Sequence, residues 1–159
     1  MSIELLSNQR AKHCYRLIEE ATKQANEDTV GDYETSVAAM PAFLRNNGLL
    51  HFVAFLTKNQ AGEENNNKQK KSTNIYPLCL RIIEEHLHGK SWTTFTTDPD
   101  NQQTQLFSYL LKGDIDIKEH MAIENEINEL LVWMKSLLRA KKAMLAQAGN
   151  KKNTGGDNE

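Results

Sequence analysis

Along most of this chain apolar residues recur at steps of three and four, the repeat of a helix face rather than of a strand. In the first segment Ala11, Cys14, Ile18, Ala21 and Ala25 keep that step, with Lys12, Arg16, Glu19 and Lys23 on another face. The pattern predicts a helix from about Ile3 to Asn26, broken at Val30-Gly31, with Asp32 as the N-cap of the next. The second segment, Tyr33 to Asn46, carries Val37, Met40 and Leu44 on one side. Pro41 inside it should kink the helix or start a second short one. Asn47-Gly48 has no alternating pattern on either side, so it reads as a cap between two helices rather than a hairpin turn. Gly48 opens GLLHFVAFLTK, so apolar that it is expected at the centre of the core.

Residues 59–74 are polar and repetitive and predict a flexible surface loop. The helical step returns at Ile75, Leu78, Cys79, Ile82, Ile83 and Leu87, and Gly89 ends it. The stretch 91–99 (SWTTFTTDP) is short and closes on Pro99, so it is expected as a loop tucked onto the core. A fifth helix is predicted at about Asn101 to Lys112. The longest should run from about Asp116 to Gln147, with Ile123, Ile127, Leu130, Met134, Leu137 and Leu138 along one seam. The expectation is an all-α fold: one bundle of about six helices over residues 1–148, a long C-terminal helix, and a disordered tail at 149–159.

Size and composition agree with one domain. The chain has 159 residues, 39% hydrophobic and 25% charged. Its mean hydropathy of −0.62 reflects the two Asn/Lys-rich stretches. Only two cysteines occur, Cys14 and Cys79, without a CxxC pair, which fits a reducing compartment. The N-terminus lacks the pattern of a secretory signal, and no apolar run approaches the ~20 residues that cross a bilayer. A cytoplasmic protein without membrane contact is expected. A net charge of −2 makes the whole surface no attractor of nucleic acid, so any such contact must come from local clusters.

Those clusters are few. Lys135, Arg139 and Lys142 form a stripe off the apolar seam, suited to phosphates. Acids lead the same helix, so dipole matching explains the stripe as well. Arg45 and Lys58 bracket the most apolar helix, where capping is the alternative use. Lys12 and Arg16 share a face with Glu19 and Glu20 one turn on, so they pair as readily as they bind. Five histidines show neither an i, i+4 pair nor HExxH, and no metal site or cofactor is expected. No nucleophile motif or phosphate loop occurs, and no catalytic residue is expected. One pattern, Arg81 to His86, fits the R-x4-H motif of HEPN-type helical ribonucleases. On one helix, however, those two residues point about 140° apart.

The stretch Met40-Pro41-Ala42-Phe43-Leu44-Arg45-Asn46-Asn47-Gly48-Leu49, followed by Ala54-Phe55-Leu56-Thr57-Lys58, resembles a block of the small α-helical subunit of the Cmr (type III-B) CRISPR effector complex. Leu130-Leu131-Val132-Trp133-Met134-Lys135 resembles that family's second block, a Leu-x-Trp-Leu-Lys pattern. The order of parts agrees over roughly residues 8–146. It departs at His120-Met121, where the family carries Tyr-Arg, and at 91–97, which has no counterpart. The resemblance implies a non-catalytic subunit of an antiviral ribonucleoprotein. Its partners would be other Cmr subunits, neighbouring copies of itself, and the guide and target RNA backbone. Arg45, Lys58, Lys135, Arg139, Lys142, Lys12 and Arg16 are the candidate RNA contacts. The competing expectations are the Arg81/His86 ribonuclease and a helical protein–protein adaptor.

Overall fold

The computed structural model describes residues 3–61, 75–97 and 105–153, and among these all regular structure is helical. Six helices follow one another: α1 (Ile3–Ala21), α2 (Glu27–Asn47), α3 (Leu49–Ala61), α4 (Tyr76–Leu87), α5 (Gln105–Leu111) and α6 (Ile117–Asn153). The 37 residues of α6 give it a length of about 55 Å. Against it lie α1 and α2; α4 joins α1 to α3, and α5 rests on α3.

One continuous core results. From α2 come Val30, Tyr33, Val37, Met40 and Leu44, and from α6 Ile123, Ile127, Leu130, Leu131, Met134 and Leu138. In α1 the buried side chains are Cys14, Leu17 and Ile18, while Ala21, expected on that stripe, is exposed. Leu137 and Trp133 flank the seam, half-buried. The segment after α4 is irregular yet anchored, as its pattern predicts: Phe95 is fully buried.

The structure differs from expectation in four respects. The first helix stops at Ala21, where Thr22 turns its hydroxyl back onto the Ile18 carbonyl at 2.7 Å. The cap of α2 is therefore Asn26, not Asp32: its side chain accepts the Thr29 N–H at 2.9 Å, and Glu27 and Asp28 suit the positive helix end. Gly31 consequently lies inside α2 and breaks nothing. The helix also passes through Pro41 to Asn47 without restarting. At Gly48 the expected cap is present: φ is 82°, and its N–H reaches the Leu44 carbonyl at 2.8 Å.

Second, α3 is not enclosed on all sides. Leu49, Phe52, Val53 and Leu56 are buried, but Leu50 and His51 face outward. Third, it extends through Asn59 to Ala61, taking three residues from the expected polar loop; the rest of that loop lies outside the described residues. Fourth, α6 continues past Gln147 to Asn153, so residues 149–153 are helical. Ala146, Gln147, Ala148, Lys151 and Lys152 favour helix, and a single Gly149 costs only about 1 kcal/mol against them. Residues 154–159 lie outside the described residues, as does the predicted start of the fifth helix.

Candidate nucleic-acid interface

The geometry of the site follows from how α6 lies between α1 and α2. Toward α2, Arg139 Nε donates to Glu34 at 2.9 Å, and the stem of Lys142 lies over Gly31. A Cβ on Gly31 would stand 3.3 Å from Lys142 Cε, so the missing side chain is what seats the lysine. These two contacts pair a three-residue step on α2 with a three-residue step, run backwards, on α6. The helices are thus antiparallel. Continuing that register brings Ala38 level with Lys135, Pro41 with Val132, and Arg45 with Asn128. Each of Gly31, Glu34, Ala38 and Arg45 follows a buried core residue of α2, so they share one flank of the helix.

The sequence-predicted cations divide accordingly. Arg139 and Lys142 line one edge, the α2/α6 seam, and the same register carried along the helices sets Arg45 and Lys135 on it. Among the described residues Arg45, Lys135 and Lys142 have no carboxylate within ion-pair distance, whereas Arg139 is held by Glu34. Lys58 is exposed in the last turn of α3, a helix packed on α4 and, to a lesser and equal extent, on α2 and α5 rather than along α6. Lys12 and Arg16 lie on α1. Lys12 is exposed, and Arg16 is bound to Glu85 of α4 at 3.3 Å.

On its other side α6 takes part in a partly buried charge network that the sequence pattern gave no sign of. Arg10 Nε donates to Glu126 at 3.0 Å, a second guanidinium nitrogen reaches the other carboxylate oxygen, and His86 Nε2 donates to Glu126 at 2.9 Å. The hydrogen bond from His86, and then Arg10, hold the Glu126 carboxyl down to about 2 against the cost of burial. His13 donates to the Ile82 carbonyl at 2.9 Å, its ring 5.6 Å from that of His86. Burial lowers the His13 pKa below its ordinary value. Only Cys14, one turn after Arg10, marked that face as inward.

This network also decides how Arg81 and His86 sit. His86 is buried, its Nε2 committed to Glu126, while Arg81 is exposed and bridges to Glu85 at 2.9 Å and Glu20 at 3.9 Å. The two do not converge on one surface. Cys14 and Cys79 are buried free thiols, and burial pushes the Cys14 thiol up to about 12. Glu84 is half-buried and its carboxyl is raised to about 7, because desolvation outweighs the backbone N–H groups of Gln105 and Leu106 that it accepts. Among the described residues no three His, Cys, Asp or Glu side chains are grouped to hold a metal, and no helix is long and apolar enough to cross a membrane.

Residues 6–141 match a family model described as CRISPR-associated protein (Cas_Cmr5). No curated protein matches the chain. The match takes in both resembling blocks and every candidate RNA-contact residue except Lys142. The chain belongs to the Cas_Cmr5 family, the small subunits of type III-B (Cmr) CRISPR complexes.

Proposed function

We propose that this protein is a non-catalytic small subunit of a cytoplasmic Cmr ribonucleoprotein in antiviral defence, and that it lays its α2/α6 edge along the RNA backbone. The observation that carries this reading is the edge itself. Arg45 and the Lys135–Lys142 stripe are far apart in sequence, yet they line one seam, and three of the four cations keep their charge unneutralised among the described residues. Helix-borne cations lose less to side-chain ordering than cations on a loop do. Phosphates give no sequence information, so sequence choice would rest with base pairing between guide and target. Other Cmr subunits and neighbouring copies would supply the remaining walls of the channel. An Arg81 turned outward and a His86 locked on Glu126 support a non-catalytic role.

The test is charge reversal in the assembled complex, reading target-RNA affinity and helicity together. Arg45→Glu combined with Lys135→Glu and Lys142→Glu should weaken target binding at least tenfold at unchanged fold. Lys58→Glu probes whether the α3 end belongs to the same contact. For the isolated chain, two or three phosphate contacts give a slope of log K against log salt of about −1.4 to −2.1 on single strands. Unchanged RNA affinity in the triple variant, with assembly intact, would leave the adaptor reading in its place.

A further inference from the structure

Residues 88–97, which follow α4, are built unlike a slack connection. The Thr93 N–H closes a turn onto the Lys90 carbonyl at 3.2 Å, which puts Trp92 at the corner of a hydrogen-bonded turn. Thr93 then donates its hydroxyl to Glu119 of α6 at 2.6 Å, and the Phe95 N–H returns to Thr93 Oγ1 at 3.1 Å. Thr94 meets the Tyr109 hydroxyl at 3.0 Å, and Tyr109 in turn donates to Glu119. The Thr97 N–H donates to His88 Nδ1 at 2.8 Å. Phe95 plugs the core, edge-on to Tyr109. Thr93, Thr94 and the buried Phe95 ring thus fix the backbone around Trp92 on α5 and α6, and Thr97 ties its far end to His88.

Trp92 keeps 38% of its surface exposed, whereas Trp133, the other tryptophan, is half-buried against the core. An aromatic held rigid at the surface has already met the ordering cost of a contact. The surroundings decide the kind of contact. A protein hot spot needs neighbouring apolar area that excludes water. Residues 88–97 instead flank Trp92 in sequence with Gly89, Lys90, Ser91, Thr93 and Thr94, one lysine and no carboxylate among them. Glu119 of α6 meets this segment as the acceptor of the Thr93 and Tyr109 hydroxyls. A flat ring amid hydroxyls and a cation suits a nucleobase, which needs only a π-face to stack and a positive charge for its phosphate.

We propose that Trp92 is a stacking platform for one unpaired base of a single-stranded RNA segment, with Lys90 serving the adjoining phosphate. This rests on the RNA-binding reading, and it adds a second, base-directed contact distinct from the α2/α6 edge. The probe is a uridine oligonucleotide at low ionic strength, beside an abasic oligonucleotide of equal length and charge. In full-length Trp133→Phe protein, Trp92 becomes the only fluorophore of its kind. Its emission should be quenched by the uridine strand and not by the abasic one. Trp92→Ala should weaken uridine binding roughly 5- to 150-fold, the range of one base–aromatic stack, while Trp92→Phe stays within a few fold. Melting temperatures should not move. Binding with an unquenched Trp92, and an unaffected Trp92→Ala, would overturn the platform and leave the edge standing. Quenching that survives Arg45→Glu with Lys135→Glu and Lys142→Glu at unchanged affinity would overturn the edge and leave the platform. If Trp92→Ala loses co-purifying subunits yet keeps RNA affinity, the ring docks protein and the proposal is wrong.

Discussion

On the side of α6 that faces α1, Arg10 meets Glu126 and Lys141 meets Glu19, and the Arg10 pair is largely out of water. On the side that faces α2, Arg45, Lys135 and Lys142 meet none among the described residues, and only Arg139 is paired. One helix therefore carries a neutralised junction and a charged edge. In the first, cations stabilise the fold; in the second, their charge remains free for a ligand. Residue type cannot distinguish the two uses, because Arg10 and Arg45 look alike until their neighbours are known.

The largest expected effect lies in the junction. Glu126→Gln leaves the partly buried Arg10 with only its longer contact to Glu129, at 3.9 Å, and should cost about 3 kcal/mol, the low end for one-sided loss of a buried pair. At this chain size that lowers the melting temperature by roughly 6–12 °C, read by circular dichroism. Neutralising Lys135 or Lys142 should move it by less than about 1 °C. Equal effects would erase the distinction between the two sides.

Acid should attack the same junction. The folded pKa of Glu126, about 2, lies below its ordinary 4.5, so its contribution is full above pH 4.5 and is lost as pH falls toward 2. The lowered pKa of His13 works in the same direction, its contribution being full above 6.5 and lost as pH falls below that. Stability should therefore decline from about pH 6.5 downward and more steeply below 4.5. Glu126→Gln should flatten the lower limb and His13→Gln the upper one, measured by denaturant titration at each pH.

Trp133 offers an intermediate case on the junction side. Half-buried against the core, it should cost about 2 kcal/mol when truncated to alanine, less than the ~3–5 of a fully enclosed ring. RNA affinity of the assembled complex should not follow. A selective loss of RNA binding at unchanged melting temperature would move Trp133 from the fold to the ligand.

Much of the fold could be read from periodicity, because burying a helix face imposes its step on the sequence. Ile123, Ile127, Leu130, Met134, Leu138, Met40 and Leu44 all fell where their spacing put them, while Leu137 came only half-buried, and Phe95 holds its loop on the core. What escaped was set by partners distant in the chain. Gly31 looked like a break, but packing against Lys142 keeps it in the helix. Glu126 looked like a solvated acid until Arg10, 116 residues earlier, closed on it. The candidate cations were visible as residues, but no local signal joins Arg45 to Lys135. Only the antiparallel register of α2 on α6 does that.

On the edge, the pair of Glu34 and Arg139 sharpens the comparison. Glu34→Gln removes the one acid that neutralises a cation there. Target-RNA affinity should rise about two- to threefold, with stability changed by no more than about 0.5 kcal/mol, the worth of an exposed pair. A fall in affinity would mean that Glu34 serves the contact by orienting Arg139.

The smallest effect, and the finest test of the edge, belongs to Gly31. Alanine is favoured over glycine inside a helix by about 1 kcal/mol, so Gly31→Ala should stabilise α2 on its own account. The added Cβ would stand 3.3 Å from the far end of the Lys142 side chain, which can swing aside at little cost. Stability should therefore rise slightly, by up to about 1 kcal/mol, in a denaturant titration. Lys142, however, would lose the shallow seat that holds its stem along the seam. If that seat matters, target-RNA affinity should fall about twofold even as the fold gains. Lys142→Ala combined with Gly31→Ala should show no further loss from the glycine change, since the lysine it acts through is gone. A more stable protein with undiminished affinity would show that Lys142 reaches phosphate equally well without its seat.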